Sequence, residues 1–152
     1  MAEEDNGDWP TFEYARRHIP PEIAEAKTIR ELLETAARLW PYRLYLVYAP
    51  SDVKVSYSEF VAGAKRVAQV FHDLGIGKDC RVALFLRNSP EYLYCIYACA
   101  YLGAIQVPIN HFYREKEMEH LLHNSQATAV VTETDLLPVV QAVRNRIPSL
   151  NH

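Results

Sequence analysis

Glu117, His120 and His123 stand three residues apart, so on a helix a carboxylate and two imidazoles would share part of one face. Those are ligand types for zinc and similar cations. Three residues at that spacing drift around the helix, however, and Leu121 and Leu122 interrupt the polar face. We therefore read them as a solvated face. Cys95 and Cys99, four apart, could approach each other on a helix, but they lie among Ile96, Ala98 and Ala100, where a thiol packs as a small hydrophobe. A zinc site would need further ligands of the Cys-x-x-Cys kind. Gly75-Ile-Gly77 is a lone glycine pair that follows a helical pattern and precedes a strand, the reverse of a phosphate-binding turn. Capping of the preceding helix accounts for Gly75.

Asn88-Ser89-Pro90-Glu91 occupies a better place for chemistry, at the carboxyl end of a predicted strand where a helix begins. Ser89 as cap, Pro90 at the first helical position and Glu91 in the first turn satisfy that terminus internally, and Glu91 would repel an anion. Phosphate binding there is the lesser reading. The spacing offers no Ser/His/Asp, Cys/His or paired-carboxylate arrangement, and P-loop and HExxH motifs are absent. No catalytic, cofactor-binding or metal-ligating residue is therefore assigned.

The elements that would carry these residues follow from pattern. Residues 1–27 hold scattered charge, Pro10, Pro20 and Pro21, and the aromatics Trp9, Phe12 and Tyr14 without a sustained period, and read as an irregular lead-in. Thr28 and Glu31 have capping-box spacing before a helix from Ile29 to about Trp40, whose expected apolar stripe is Ile29, Leu32, Leu33, Ala36 and Leu39. Leu44 to Tyr48 and Val53 to Tyr57 form a predicted antiparallel hairpin. Ser56 and Glu59 then open a helix to Leu74 that buries Phe60, Ala64, Val67, Ala68, Phe71 and Leu74.

Residues 81–110 read as one βαβ unit: a buried strand, a capped and almost wholly apolar helix, a glycine stop and a second strand. Tyr92, Tyr94, Tyr97 and Tyr101 spread around that helix, so it should be covered on most sides, as in a larger structure. A helix over Tyr113–His123, a strand over Thr128–Thr132 and a helix over Asp135–Arg146 complete the chain. The alternation predicts an α/β fold: a doubly wound, mostly parallel sheet with helices on both faces and the hairpin ahead of it. Residues 28–152 form that unit, and an incomplete sheet would expose an edge strand and apolar helix faces, so self-association is expected.

Composition bounds the partners. With 152 residues, 49% of them hydrophobic and 23% charged, the chain has the makings of a globular domain with a core. Sixteen basic against nineteen acidic residues leave a net charge of -3, which gives no electrostatic case for nucleic acid or an anionic membrane. The longest apolar run, Tyr92 to Ile105, falls short of the roughly 20 residues of a spanning helix. Three cysteines and an acidic, polar start without a secretory signal fit a reducing cytoplasm.

Six blocks in order carry a resemblance. They are Thr28-Ile-Arg-Glu-Leu-Leu33, Val55-Ser-Tyr-Ser-Glu-Phe60, Leu74-Gly-Ile76, Arg81-Val-Ala-Leu-Phe-Leu-Arg-Asn-Ser-Pro-Glu-Tyr92, Ala100-Tyr-Leu-Gly-Ala-Ile-Gln-Val-Pro-Ile-Asn110 and Leu121-Leu-His-Asn-Ser-Gln-Ala127. Together they resemble the N-terminal part of the adenylate-forming enzymes, the AMP-dependent synthetase and acyl-CoA ligase superfamily. The wording of the last two leans toward the medium-chain and carnitine-type acid:CoA ligases. One departure lies at Asp79 and Cys80, where the family usually has glycine and aspartate, so the turn into the next strand is expected to differ while the fold survives.

The resemblance implies a parent enzyme in which ATP and a carboxylic acid give an acyl-adenylate and pyrophosphate, and the thiol of CoA then displaces AMP. ATP, Mg²⁺ and CoA would serve that parent, whereas no cofactor is expected for these residues alone. The family's Ser/Thr/Gly-rich phosphate loop, adenine and magnesium segment, ribose-binding aspartate and mobile lysine have no counterpart here, and the ending at His152 resembles a cut in a connector. The implied role is scaffold, with the remainder of a ligase chain as partner. The rival reading is a noncatalytic α/β binding or regulatory module on the same scaffold, and a small flavodoxin-like nucleotide binder ranks third.

Overall fold

The computed structural model describes residues 19–152; the expected lead-in aromatics Trp9, Phe12 and Tyr14 lie outside them. Residues 19–27, the rest of that lead-in, hold one helical turn, α1 (Pro21–Ala24). Helix α2 (Ile29–Leu39) starts where the capping box places it, with the Thr28 hydroxyl accepting the Glu31 N–H at 3.0 Å and Glu31 accepting from Lys27 N–H at 2.8 Å. Strands β1 (Leu44–Tyr48) and β2 (Val53–Ser56) pair antiparallel as the predicted hairpin. Helix α3 (Tyr57–Asp73) opens on a complete capping box between Ser56 and Glu59.

Helix α3 stops at a Schellman motif. Gly75 adopts φ +77, its N–H bonds the His72 carbonyl, and the Ile76 N–H reaches back to the Phe71 carbonyl. Ile76 and Phe71 are both buried in the same core cluster, the apolar contact that accompanies this cap. Gly75 is therefore a helix terminator, as its context suggests.

Three parallel strands follow: β3 (Arg81–Phe85), β4 (Ile105–Pro108) and β5 (Ala129–Thr132), ordered β4-β3-β5. Helix α4 (Pro90–Leu102) connects β3 to β4, α5 (Glu115–Ser125) connects β4 to β5, and α6 (Leu137–Arg144) follows β5. The central strand is buried on both sides, as the run Val82-Ala-Leu-Phe85 requires. Val82 and Leu84 pack against Ala68 and Phe71 of α3 and Cys95, Ala98 and Cys99 of α4. Ala83 and Phe85 face the other way, onto Met118 and Leu122 of α5 and Val140 and Val143 of α6. Burying one such side chain as large as Phe85 stabilises the fold by roughly 1.5–3 kcal/mol. This is the expected doubly wound arrangement, with helices on both faces of a parallel sheet.

Particular residues depart from the sequence expectation. Ile29 and Leu32 of α2 are 56% and 43% exposed, and the buried residues of that helix are Leu33 and Ala36. Leu74 is 44% exposed, since the turn at Gly75 carries the chain off the helix face. Helix α5 begins two residues late because the Asn110 side chain accepts the Phe112 N–H at 3.0 Å and holds the preceding turn. Helix α4 finds cover inside this chain: every residue from Tyr92 to Leu102 is buried or half-buried, against α2, α3, the hairpin and the sheet.

The turn into β3 contains Asp79 with φ +66, a left-handed backbone that explains why glycine is usual there. The fold tolerates the aspartate: its N–H bonds the Gly103 carbonyl at 3.0 Å. At the outer side of β5, His152 donates its N–H to the Thr128 carbonyl at 3.2 Å and accepts from Val130 N–H at 3.1 Å. That is the hydrogen-bond pattern of a parallel bridge opposite Ala129. The outer edge of β4 carries Ile105, 43% exposed.

Candidate functional site

The winding of the sheet builds one crevice. From β3 the chain leaves toward α4 on one face, and from the adjacent β5 it leaves toward α6 on the other. Adjacent parallel strands whose connections diverge open a gap at their carboxyl ends, which is where open α/β sheets bind ligands. Here the gap holds about 470 Å³ and is lined by Tyr48, Leu86, Arg87, Ser89, Glu91, Cys95, Val131, Thr132 and Glu133.

An ion-pair network closes one side of it. The Arg87 guanidinium pairs with Glu133 through Nη1 and with Asp135 through both Nη1 and Nη2, at 3.2 and 2.7 Å. The Arg87 N–H donates to Glu133 Oε1 at 2.6 Å, so one carboxylate receives backbone and side chain together. The network holds the Arg87 guanidinium even further above its ordinary pKa and the Asp135 carboxyl below the usual carboxylate range, chiefly through their mutual hydrogen bonds. Its members are substantially exposed, so solvent screens each single contact. The geometry ties the β3–α4 loop to the β5–α6 loop. Sequence reasoning missed the pairing, since its partners lie 46 and 48 residues apart and no local spacing signals them.

The candidates singled out from the sequence are scattered. Ser89 Oγ accepts the Tyr92 N–H at 3.2 Å and Pro90 opens the helix, so the α4 terminus is capped from within, with Glu91 in its first turn. Glu117 accepts the Arg114 N–H at 3.2 Å, while His120 and His123 point into solvent. Among the described residues no group of three His, Cys, Asp or Glu side chains is arranged to hold a metal ion. Cys95 and Cys99 lie 5% and 1% exposed against β3, and burial pushes their thiols up to about 11 and about 12, away from nucleophilic thiolate. Cys80 is also free.

Gly75 sits at a helix end, and the α4 terminus that faces the crevice is capped by Ser89 and carries Glu91 in its first turn, where a carboxylate disfavours a phosphate. A second cavity, about 200 Å³, lies between α2, the hairpin and α4, walled by Leu33, Trp40, Tyr45, Tyr57 and Tyr97. Its polar feature is the Tyr45–Tyr97 hydroxyl contact at 3.0 Å, and burial raises the Tyr45 pKa.

Comparison with known proteins decides the family. The model of a family described as AMP-binding enzyme matches residues 33–151. The chain belongs to the AMP-binding enzymes. A crotonobetaine/carnitine–CoA ligase from Salmonella paratyphi A is 34% identical over 136 residues, covering 86% of this chain and 26% of the relative. A ligase of the same name from Shigella flexneri is 34% identical over 126 residues, covering 81% and 24%. The chain thus spans about a quarter of the length of the curated relatives it matches. Among solved structures, the N-terminal domain of FACL13 from Mycobacterium tuberculosis superposes with a TM-score of 0.78 at 32% identity, covering 83% of this chain and 32% of that one. A Mycobacterium tuberculosis fatty acyl CoA synthetase gives 0.74 at 36% identity, covering 78% and 24%. In this AMP-binding enzyme chain, then, the doubly wound unit corresponds to an N-terminal region of its relatives.

Proposed function

We propose that this chain serves as the N-terminal scaffold of an ATP-dependent acid:CoA ligase of the crotonobetaine/carnitine type, working in the cytoplasm. The observation that carries the proposal is the family match across residues 33–151 combined with coverage of about a quarter of the ligase relatives. In such a ligase a carboxylic acid reacts with ATP to give an acyl-adenylate and pyrophosphate, and CoA then takes the acyl group and releases AMP. That chemistry needs cationic and backbone donors around the phosphates together with Mg²⁺. In this reading the role of this chain is to bury α4 against the sheet and hold the β3 and β5 loops in register.

Two measurements test the reading. The 152 residues alone, given ATP, Mg²⁺, CoA and carnitine or crotonobetaine, should release no pyrophosphate and consume no CoA thiol; turnover would overturn the scaffold role. The coding sequence downstream of His152 should run into a Ser/Thr/Gly-rich loop ending in lysine. A stop codon there would favour the noncatalytic module instead.

A further inference from the structure

We propose that the cavity between α2, the hairpin and α4 is a binding site for a small neutral aromatic molecule carrying one hydroxyl, a phenol in chemical class. The inference does not depend on the ligase role. Size is its first support. The cavity holds about 200 Å³, and an apolar cavity of about 150 Å³ already admits benzene, so one six-membered ring with a substituent fits. The walls are its second. Leu33 and Ala36 of α2 are buried, and the rings of Tyr45 and Tyr97 are backed by the fully buried Phe60, with centroids 4.4 and 5.1 Å from it. Trp40 and Tyr57, tilted on each other at 6.2 Å, extend that aromatic wall. Tilted rings at such spacings attract one another beyond simple area burial, and a site already in place spares the cost of ordering it on binding.

Charge and hydrogen bonding select among ligands of that size. Every side chain that lines the cavity is uncharged, so an anion or a cation would shed its water with no counter-charge in the wall. Arg43 lies over the Trp40 ring, 5.7 Å from its centroid, and is not part of the lining. A hydrogen-bonding pair does sit in the wall: the Tyr45 and Tyr97 hydroxyls, 3.0 Å apart. Two hydroxyls carry two protons and their mutual contact uses one. Neither hydroxyl has another side-chain or backbone partner among the described residues. One proton therefore remains to donate to a ligand oxygen, and the free lone pairs accept the ligand's own hydroxyl proton.

The test is an amide NMR titration of the 152-residue chain near neutral pH with phenol, toluene and sodium benzoate, which share a ring and differ in hydroxyl and charge. Phenol should shift the amides of Leu33, Ala36, Tyr45 and Tyr97 saturably, with a midpoint of about 1 mM for so few heavy atoms. Benzoate should leave them in place. Replacing both hydroxyls, Tyr45→Phe with Tyr97→Phe, should weaken phenol about fivefold, which corresponds to losing one hydrogen bond between neutral groups. Toluene should bind that variant as it binds the unmodified chain, which also shows the cavity intact. Benzoate binding as tightly as phenol, no saturable shift at these amides, an unchanged phenol midpoint in the double variant, or equal weakening of phenol and toluene would overturn the proposal.

Discussion

Replacing Gly63 by alanine tests how closely α3 and α4 are locked together. A Cβ built at Gly63 would lie 2.7, 2.8 and 3.1 Å from three atoms of the Tyr94 ring. Ordinary carbon contacts are about 3.5–4.0 Å, so the overlap is severe and falls on a rigid ring. The ring has little room to retreat, since it packs on Phe60 with centroids 5.2 Å apart and Phe60 is fully buried. In an unobstructed helix interior, glycine to alanine would stabilise by about 0.5–1 kcal/mol. Overpacking costs about 1–3 kcal/mol. The net expectation for Gly63→Ala is therefore a loss of about 1 kcal/mol, with the overlap exceeding the propensity gain. Urea unfolding of a double-mutant cycle isolates the cause. With Tyr94→Ala in place the obstruction is gone, and Gly63→Ala should become stabilising by about 0.5–1 kcal/mol. A stabilising effect in the unmodified chain, or an identical effect in both backgrounds, would refute the close-packing argument.

Two further outcomes are expected. Helix α5 ends on Gln126 with φ +53, and the Gln126 and Ala127 N–H groups bond the His123 and Leu122 carbonyls, which is a Schellman cap built without glycine. Gln126→Gly should raise the urea midpoint by an amount worth about 0.5–1 kcal/mol, because the left-handed penalty outweighs the entropy glycine adds to the unfolded chain; a lower midpoint would count against it. The carboxyls of Glu34, Glu59, Glu117 and Asp135 all lie below their usual range, held by Lys65, Ser56, backbone N–H groups and Arg87 respectively. Near pH 4 the folded chain therefore binds fewer protons than the unfolded one. The stability these groups contribute is present above the unfolded values of about 4 and is lost as pH falls through the lower folded values. Arg87→Gln should flatten that acid-side loss, read as unfolding midpoints between about pH 2 and 5; an unchanged acid profile would show that the pair is not linked to folding.

Much of the fold was legible because its signals are local. Thr28 with Glu31, Ser56 with Glu59, and Ser89 followed by Pro90 mark helix starts, since a cap acts within one turn of its own backbone. The run Val82 to Phe85 announced a strand buried on both faces, and the βαβ order announced parallel pairing. Boundaries set by side chains that reach outside their pattern were less legible: Asn110 delays α5, and Gln126 ends it in a conformation that its residue type does not advertise.

The amino-acid sequence by itself determined which segments become helices and strands, where most helices begin, and which family's wording the chain carries, because those depend on neighbours a few residues away. Tertiary structure alone decided that Arg87 meets Glu133 and Asp135, that Gly63 must leave room for Tyr94, and that α4 is covered by its own chain. Each of these brings together groups from separate elements, and the distance between them is fixed by how the sheet winds and the helices pack.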